Sequence, residues 1–132
     1  MLQKADTVTR VLLGLIFSIF GTNGLLMIFT GSGFIPMPEP APEMGKIMGA
    51  LFGMTYLMPL VKALEVVAGL FLLTGRFVNL ALVLLAPIVV NILGIHLFSD
   101  PAGIPMALIL TALVVFQIKR RWEDFRPLVS KT

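Results

Sequence analysis

The sequence predicts an all-α integral membrane protein, folded as an up-down-up-down bundle of four transmembrane helices. Of its 132 residues, 58% are hydrophobic and only 13% are charged, and the mean hydropathy is +0.99. A soluble domain of this size needs a polar surface that this composition cannot supply. Four apolar stretches, each near the ~20 residues that cross a ~30 Å hydrocarbon layer, divide the chain. We therefore expect one membrane domain over residues 1–132.

The first predicted span covers residues 11–30 and follows the basic residues Lys4 and Arg10. A signal peptide is the alternative, but the apolar run is too long and no small-x-small cleavage site follows it. We therefore expect a retained transmembrane helix. Residues 31–45 are predicted to form a loop, because residues that break regular structure recur there: Gly31, Gly33, Pro36, Pro38, Pro40 and Pro42.

A helical stretch over residues 44–58 precedes Pro59, which is expected to interrupt it. Residues 44–53 are either a short helix in the membrane interface or the outer end of a long kinked helix. Two of the later spans contain a proline, Pro59 in the second and Pro87 in the third. The second, third and fourth spans are expected at residues 55–74, 77–98 and 104–118.

Positive charges are concentrated at one end of the predicted bundle, and this bias places both termini in the cytoplasm. The opposite end carries only Lys46, beside Glu39, Glu43 and Asp100. Nucleic acid is not an expected partner despite a pI of about 9.7, because the basic residues gather where helices meet lipid headgroups. They are Lys4, Arg10, Arg76, Lys119, Arg120, Arg121, Arg126 and Lys131.

The chain has no cysteine and a single histidine, His96. A disulfide framework, a thiolate metal site and thiol–disulfide chemistry are therefore excluded. One histidine cannot ligate haem as a bis-histidine pair within one protomer. We expect no thiol, haem or structural metal site within one chain.

Two charged residues, Lys62 and Glu65, interrupt the second span. A charge at bilayer depth costs at least a few kcal/mol, so it is expected to be paired, to face a wet cavity or to be functional. The i, i+3 spacing places both side chains on one helix face. The pair either stabilises helix packing or forms part of a site.

Three further polar residues, Asn23, Asn91 and His96, lie in the first and third spans. At ~1.5 Å per residue, Asn23, Lys62 and Asn91 fall at similar depths, roughly 18–21 Å from the cytoplasmic side. We predict a ligand site where they meet Glu65, with His96 nearer the outer surface. As alternatives, the asparagines form interhelical hydrogen bonds, and His96 caps its helix near Asp100.

Small residues recur at helical spacing in two places, which favours close helix packing within a chain or in a homodimer. One set lies on the first span, and the other forms a GxxxGxxxG pattern. The two sets are Gly14, Ser18 and Gly21, and Gly45, Gly49 and Gly53.

Several motifs resemble the DoxX family of small bacterial and archaeal membrane proteins. In the third span the run 85–92 (LAPIVVNI) is followed by His96. The second span has Glu65 to Gly69 leading to the run 73–77 (LTGRF), and the first has 10–17 followed by Gly21 and Gly24. Many members carry a lysine near the end of the first span, where this chain has Asn23.

The resemblance implies a four-helix bundle in the bacterial or archaeal cytoplasmic membrane. It also implies a role beside quinone-linked oxidoreductases, with quinone as a candidate ligand and a redox protein as a candidate partner. A thiosulfate-oxidising activity is not carried over, because that chemistry needs a redox centre. A non-catalytic scaffold is the alternative function, and a small proton-coupled transporter acting as an oligomer is the third.

Overall fold

The computed structural model describes residues 1–131, which contain helices and no strands; 83% of the chain is helical. Lipid offers no hydrogen-bond partners, so each backbone donor and acceptor must be satisfied within its own helix. A short 3₁₀ turn, Pro101–Gly103, precedes the fifth helix. The α-helices are α1 (Leu2–Thr30), α2 (Pro42–Gly53), α3 (Leu57–Thr74), α4 (Val78–Ser99), α5 (Ile104–Arg120) and α6 (Trp122–Val129).

Four helices are long and apolar enough to cross a membrane: α1, α3, α4, and α5 together with its preceding turn. The prediction of an all-α, four-span membrane bundle is confirmed, and the chain is an integral membrane protein. Around the bundle, α1 contacts α3 and α5, and α4 contacts the same two helices. The helices α1 and α4 therefore lie diagonally opposite each other.

The tightest packing in the bundle is between α1 and α3. A Cβ atom added to Gly69 would lie 2.7 Å from the backbone nitrogen of Ser18 and 3.0 Å from the carbonyl oxygen of Gly14. A Cβ atom on Gly21 would lie 3.1 Å from the backbone nitrogen of Val66. Small residues on both helices thus allow their backbones to touch, as predicted for Gly14, Ser18 and Gly21.

The helix α1 is longer than the predicted first span, residues 11–30, which it contains. The helix begins at Leu2 rather than at residue 11 and has 29 residues, or about 43 Å at ~1.5 Å per residue. This exceeds the ~30 Å hydrocarbon thickness, so part of α1 extends beyond the hydrocarbon layer. The extension is stabilised because Asp6 and Thr9 bind side chains of α5 and its C-cap residue Arg121.

The prediction of one continuous helix over residues 44–58 is wrong, because residues 54–56 are not helical. Met54 is extended, with φ −79° and ψ 94°. The separate helix α2 therefore corresponds to the short-helix alternative. Pro59 does not interrupt a helix but is the third residue of α3, where its missing N–H would lack an intrahelical acceptor anyway.

The turn between α3 and α4 contains two residues in the left-handed backbone conformation. Gly75 has φ 70° and donates its N–H to the carbonyl oxygen of Leu72, which ends α3. Phe77 has φ 55°, a conformation uncommon for a residue with a side chain. Its ring packs on Phe71 at a centroid distance of 5.2 Å.

The C-terminal helix α6 is absent from the sequence prediction. The side chain of Phe125 on this helix is buried against the bundle core. Asn79 Nδ2 on α4 donates to Asp124 Oδ2 on α6 at 2.9 Å. The helix has only 8 residues and contains Pro127. Because it is short and interrupted by a proline, apolar periodicity does not predict it.

Candidate functional site

The charged pair in the second membrane helix is an ion pair confined to α3. Lys62 Nζ lies 3.1 Å from Glu65 Oε1 and 2.9 Å from Oε2. The lysine side chain is 21% exposed and the glutamate side chain 4%. An ammonium group has three N–H donors, and within residues 1–131 only Glu65 accepts from this one. One donor is therefore free to bind another group.

Two glycines of α1 make room for this pair. A Cβ atom on Gly24 would lie 2.6 Å from Lys62 Cδ, and one on Gly21 would lie 3.1 Å from Glu65 Cβ. The stem of Lys62 thus lies directly on the backbone of α1. Its position depends on the absence of a side chain at residue 24.

A cavity of about 170 Å³ adjoins the ion pair. Phe17 and Leu110 line it and are buried, whereas Phe20 on α1 and Met106 on α5 are exposed at its rim. The opening therefore lies along the seam between α1 and α5. Its full lining is Ile16, Phe17, Phe20, Lys62, Glu65, Ile92, Met106 and Leu110.

Asn23 is buried but does not bind the charged pair. Its Oδ1 accepts a hydrogen bond from the backbone N–H of Ile35 at 2.8 Å, and its Nδ2 donates to the carbonyl oxygen of Ile35 at 3.4 Å. Both bonds fix the loop that follows α1. The side chain thus has a structural explanation in this chain.

Asn91 and His96 also bind locally rather than at the cavity. Asn91 is exposed, and its Nδ2 donates to the carbonyl oxygen of Pro87 on the same helix at 2.9 Å. The Nδ1 atom of His96 lies 3.0 Å from Asp100 Oδ2, which matches the helix-capping alternative. Of the five predicted site residues, only Lys62 and Glu65 are thus brought together at the cavity.

A second polar cluster, at the basic end of the bundle, escaped the sequence analysis. Arg121 donates to both carboxylate oxygens of Asp6, at 2.9 and 3.0 Å, and to Gln117 Oε1 at 2.6 Å. Gln117 is fully buried and donates to Thr9 Oγ1 at 2.6 Å. We call Asp6, Thr9, Gln117 and Arg121 the basal network.

The spacing of the basal-network residues along the sequence could have indicated that they lie together. Asp6 and Thr9 are three residues apart, and Gln117 and Arg121 are four apart, so each pair shares one helix face. Arg10 adds a link to α3, because its guanidinium donates to the carbonyl oxygen of Leu72 near the C-terminus of that helix. A cation is favourable at this position.

Within residues 1–131 no three His, Asp or Glu side chains are close enough to hold a metal ion. Comparisons of the chain with family models, curated proteins and solved structures gave no match.

Proposed function

We propose that this protein is a membrane component that binds the ring of a quinone, or of a lipophilic molecule of similar size, beside Lys62 and Glu65. One observation carries the proposal: the ion pair lies within a single helix and lines a cavity that reaches the bundle surface. We also propose that the chain is a DoxX-like protein of the bacterial or archaeal cytoplasmic membrane, with both termini in the cytoplasm.

A purely structural role explains this ion pair poorly. Bringing two charges into a low-dielectric interior is costly, and their attraction often only offsets that cost. The ionic contact between Lys62 and Glu65 joins no second helix, since both residues belong to α3. Charged residues inside a membrane are expected to be functional unless a structural need is evident.

The cavity size supports a single-ring ligand. An apolar protein cavity of about 150 Å³ binds benzene, and the cavity here has about 170 Å³. An isoprenoid tail does not fit beside the ring. It would extend through the rim between Phe20 and Met106 into the lipid, where tails of such molecules are already soluble.

The polar wall of the cavity supports a ligand with a ring oxygen. A quinone carbonyl accepts a hydrogen bond from the free N–H of Lys62, and Glu65 is placed to accept or supply a proton there. Electrons would come from a partner protein, as the resemblance implies. Phe17 and Phe20 offer aromatic faces that pack against a ring.

The test displaces Lys62 without removing either charge. In Gly24→Ala the new methyl group overlaps the lysine stem, so the ammonium must move while the flexible side chain relieves the clash. The matched control is Gly49→Ala, where a Cβ atom meets nothing within 4 Å. Both variants and Glu65→Gln are purified gently from native membranes, and bound lipid-soluble molecules are quantified by native mass spectrometry.

We expect quinone in wild type and Gly49→Ala, and at least a fivefold lower occupancy in Gly24→Ala and Glu65→Gln. Adding a short-chain benzoquinone should raise the melting temperature of the first two proteins only. Protein without quinone and without a response to the benzoquinone contradicts the proposal. A co-purifying protein retained in all four samples would instead favour the scaffold function.

A further inference from the structure

The outward side of α4 is an unpartnered surface that crosses the membrane. The helix buries Ala81, Leu82, Leu85 and Val89 against its neighbours. Its opposite side is exposed; Val90 is 67% and Phe98 is 90% exposed. We call this opposite side the α4 outer face; it comprises the exposed residues Val83, Pro87, Val90, Asn91 and Phe98 and the half-buried Gly94.

One polar side chain lies in the middle of this face. Asn91 is about 4 Å from the midpoint of α4 along the axis, at ~1.5 Å per residue. One of its N–H donors reaches the carbonyl oxygen of Pro87. Within residues 1–131 the second N–H and the amide oxygen have no partner. In hydrocarbon such groups are costly to leave unsatisfied, and the side chain is too short to reach the interface.

We propose that two copies of this chain associate through the α4 outer face and that their Asn91 amides hydrogen-bond to each other. A primary amide carries a donor and an acceptor, so it is complementary to a second copy of itself. A two-fold axis near the residue brings each amide N–H to the other amide oxygen. Polar side chains of this kind drive helix association in membranes.

The surroundings of Asn91 fit the same partner. A Cβ atom on Gly94 would meet nothing within 4 Å, so a second helix can approach closely one turn from the amide. The α4 outer face bears no charged residue, which avoids like-charge repulsion across a two-fold axis. Two glycines of the α2 pattern, Gly49 and Gly53, also face open space, but they offer no polar group that requires a partner.

The proposed dimer is independent of the ligand site. The cavity opens along the seam between α1 and α5, and α1 lies diagonally opposite α4. Two copies joined through α4 would leave both cavity rims in contact with lipid. Failure of either proposal therefore leaves the other intact.

The absence of cysteine from the sequence makes disulfide crosslinking a clean test. Val90→Cys places one thiol on the α4 outer face. Leu108→Cys is the control, because it is exposed on α5 at about the same depth, roughly 18 Å from the basic end at ~1.5 Å per residue. The full chain is oxidised in native membranes with copper phenanthroline, and the crosslinked fraction is measured on gels.

We expect a dimer band of twice the monomer mass from Val90→Cys and little from Leu108→Cys. Adding Asn91→Leu should weaken dimerisation about tenfold, measured by dilution in lipid, while Asn91→Gln should largely retain it. Since Asn91 is exposed, circular dichroism should confirm that both variants fold. Equal crosslinking at Leu108→Cys, no effect of Asn91→Leu, or a band of another mass would overturn the proposal.

Discussion

The partly buried ion pairs Asp6–Arg121 and Lys62–Glu65 differ in what they join. Asp6 and Arg121 join the N-terminal turns of α1 to the end of α5, across 115 positions of sequence. Lys62 and Glu65 are three residues apart on α3. The first pair belongs to a network with Gln117, whereas the second is isolated among apolar side chains.

The difference shows which pair the fold needs. Removing the basal network would weaken the contact between α1 and the end of α5, because its hydrogen bonds join Asp6 and Thr9 to Gln117 and Arg121. Removing both charges of the α3 pair would break no hydrogen bond between helices, since within residues 1–131 Lys62 and Glu65 bind only each other. The Lys62–Glu65 pair is therefore the one for which a functional role is expected.

The largest expected effect on stability is at Arg121. Arg121→Met leaves the Asp6 carboxylate and the Gln117 Oε1 atom without the guanidinium in a partly buried site. Such losses cost about 3 kcal/mol. We expect a decrease of that size in the free energy of unfolding, measured by SDS titration in mixed micelles.

The neighbouring Arg120→Met is the matched control, because Arg120 is exposed and forms no ion pair within residues 1–131. It should change the unfolding free energy by less than about 0.5 kcal/mol. Equal losses in both variants would mean that general charge at the basic end, and not the basal network, stabilises the bundle.

The second effect contrasts two glycines at the α1–α3 contact. In Gly69→Ala the new Cβ atom meets the backbone of Ser18 and Gly14, which cannot yield unless the helices separate. Overpacking of this kind costs about 2 kcal/mol. In Gly24→Ala the obstacle is the flexible stem of Lys62, so we expect a loss below about 1 kcal/mol in the same assay.

Similar losses in the two alanine variants would show that the lysine stem is as rigid as backbone. The ion pair would then be a fixed part of the helix contact. A retained fold with a displaced Lys62 is the result on which the ligand test depends.

The sequence predicted the spans well because each depends on a local property. A hydrocarbon layer of given thickness requires about the same number of apolar residues in every span. The bounds of α4 accordingly lie within one residue of those expected, 77–98. The i, i+3 spacing of Lys62 and Glu65 is also local, and their ion pair forms as that spacing indicates.

The basal network and the separate destinations of the polar residues could not be predicted in the same way. Similar depth does not determine which way a side chain points around its helix, and Asn23 and Asn91 point away from the ion pair. Gln117 is buried because α1 begins before residue 11 and its N-terminal part covers the side chain. That extension follows from contacts between residues over 100 positions apart.

The smallest expected effect on stability, and the most informative, is replacement of the whole α3 pair. Lys62→Met with Glu65→Leu removes both charges while keeping similar volume. Replacing an ion pair by apolar residues is often neutral or stabilising, so we expect a change within about 1 kcal/mol or a gain. Lys62→Met alone should be less stable than the double variant, because it leaves a carboxylate unpaired.

Ligand binding should behave differently from stability in this double variant. Its cavity wall no longer offers an N–H to a ring oxygen, so quinone occupancy should be lost although the bundle is intact. Joint loss of folding and occupancy would make the pair a structural element like Asp6–Arg121. Stable protein that still binds quinone would show that shape and apolar contact alone, through Phe17 and its neighbours, hold the ring.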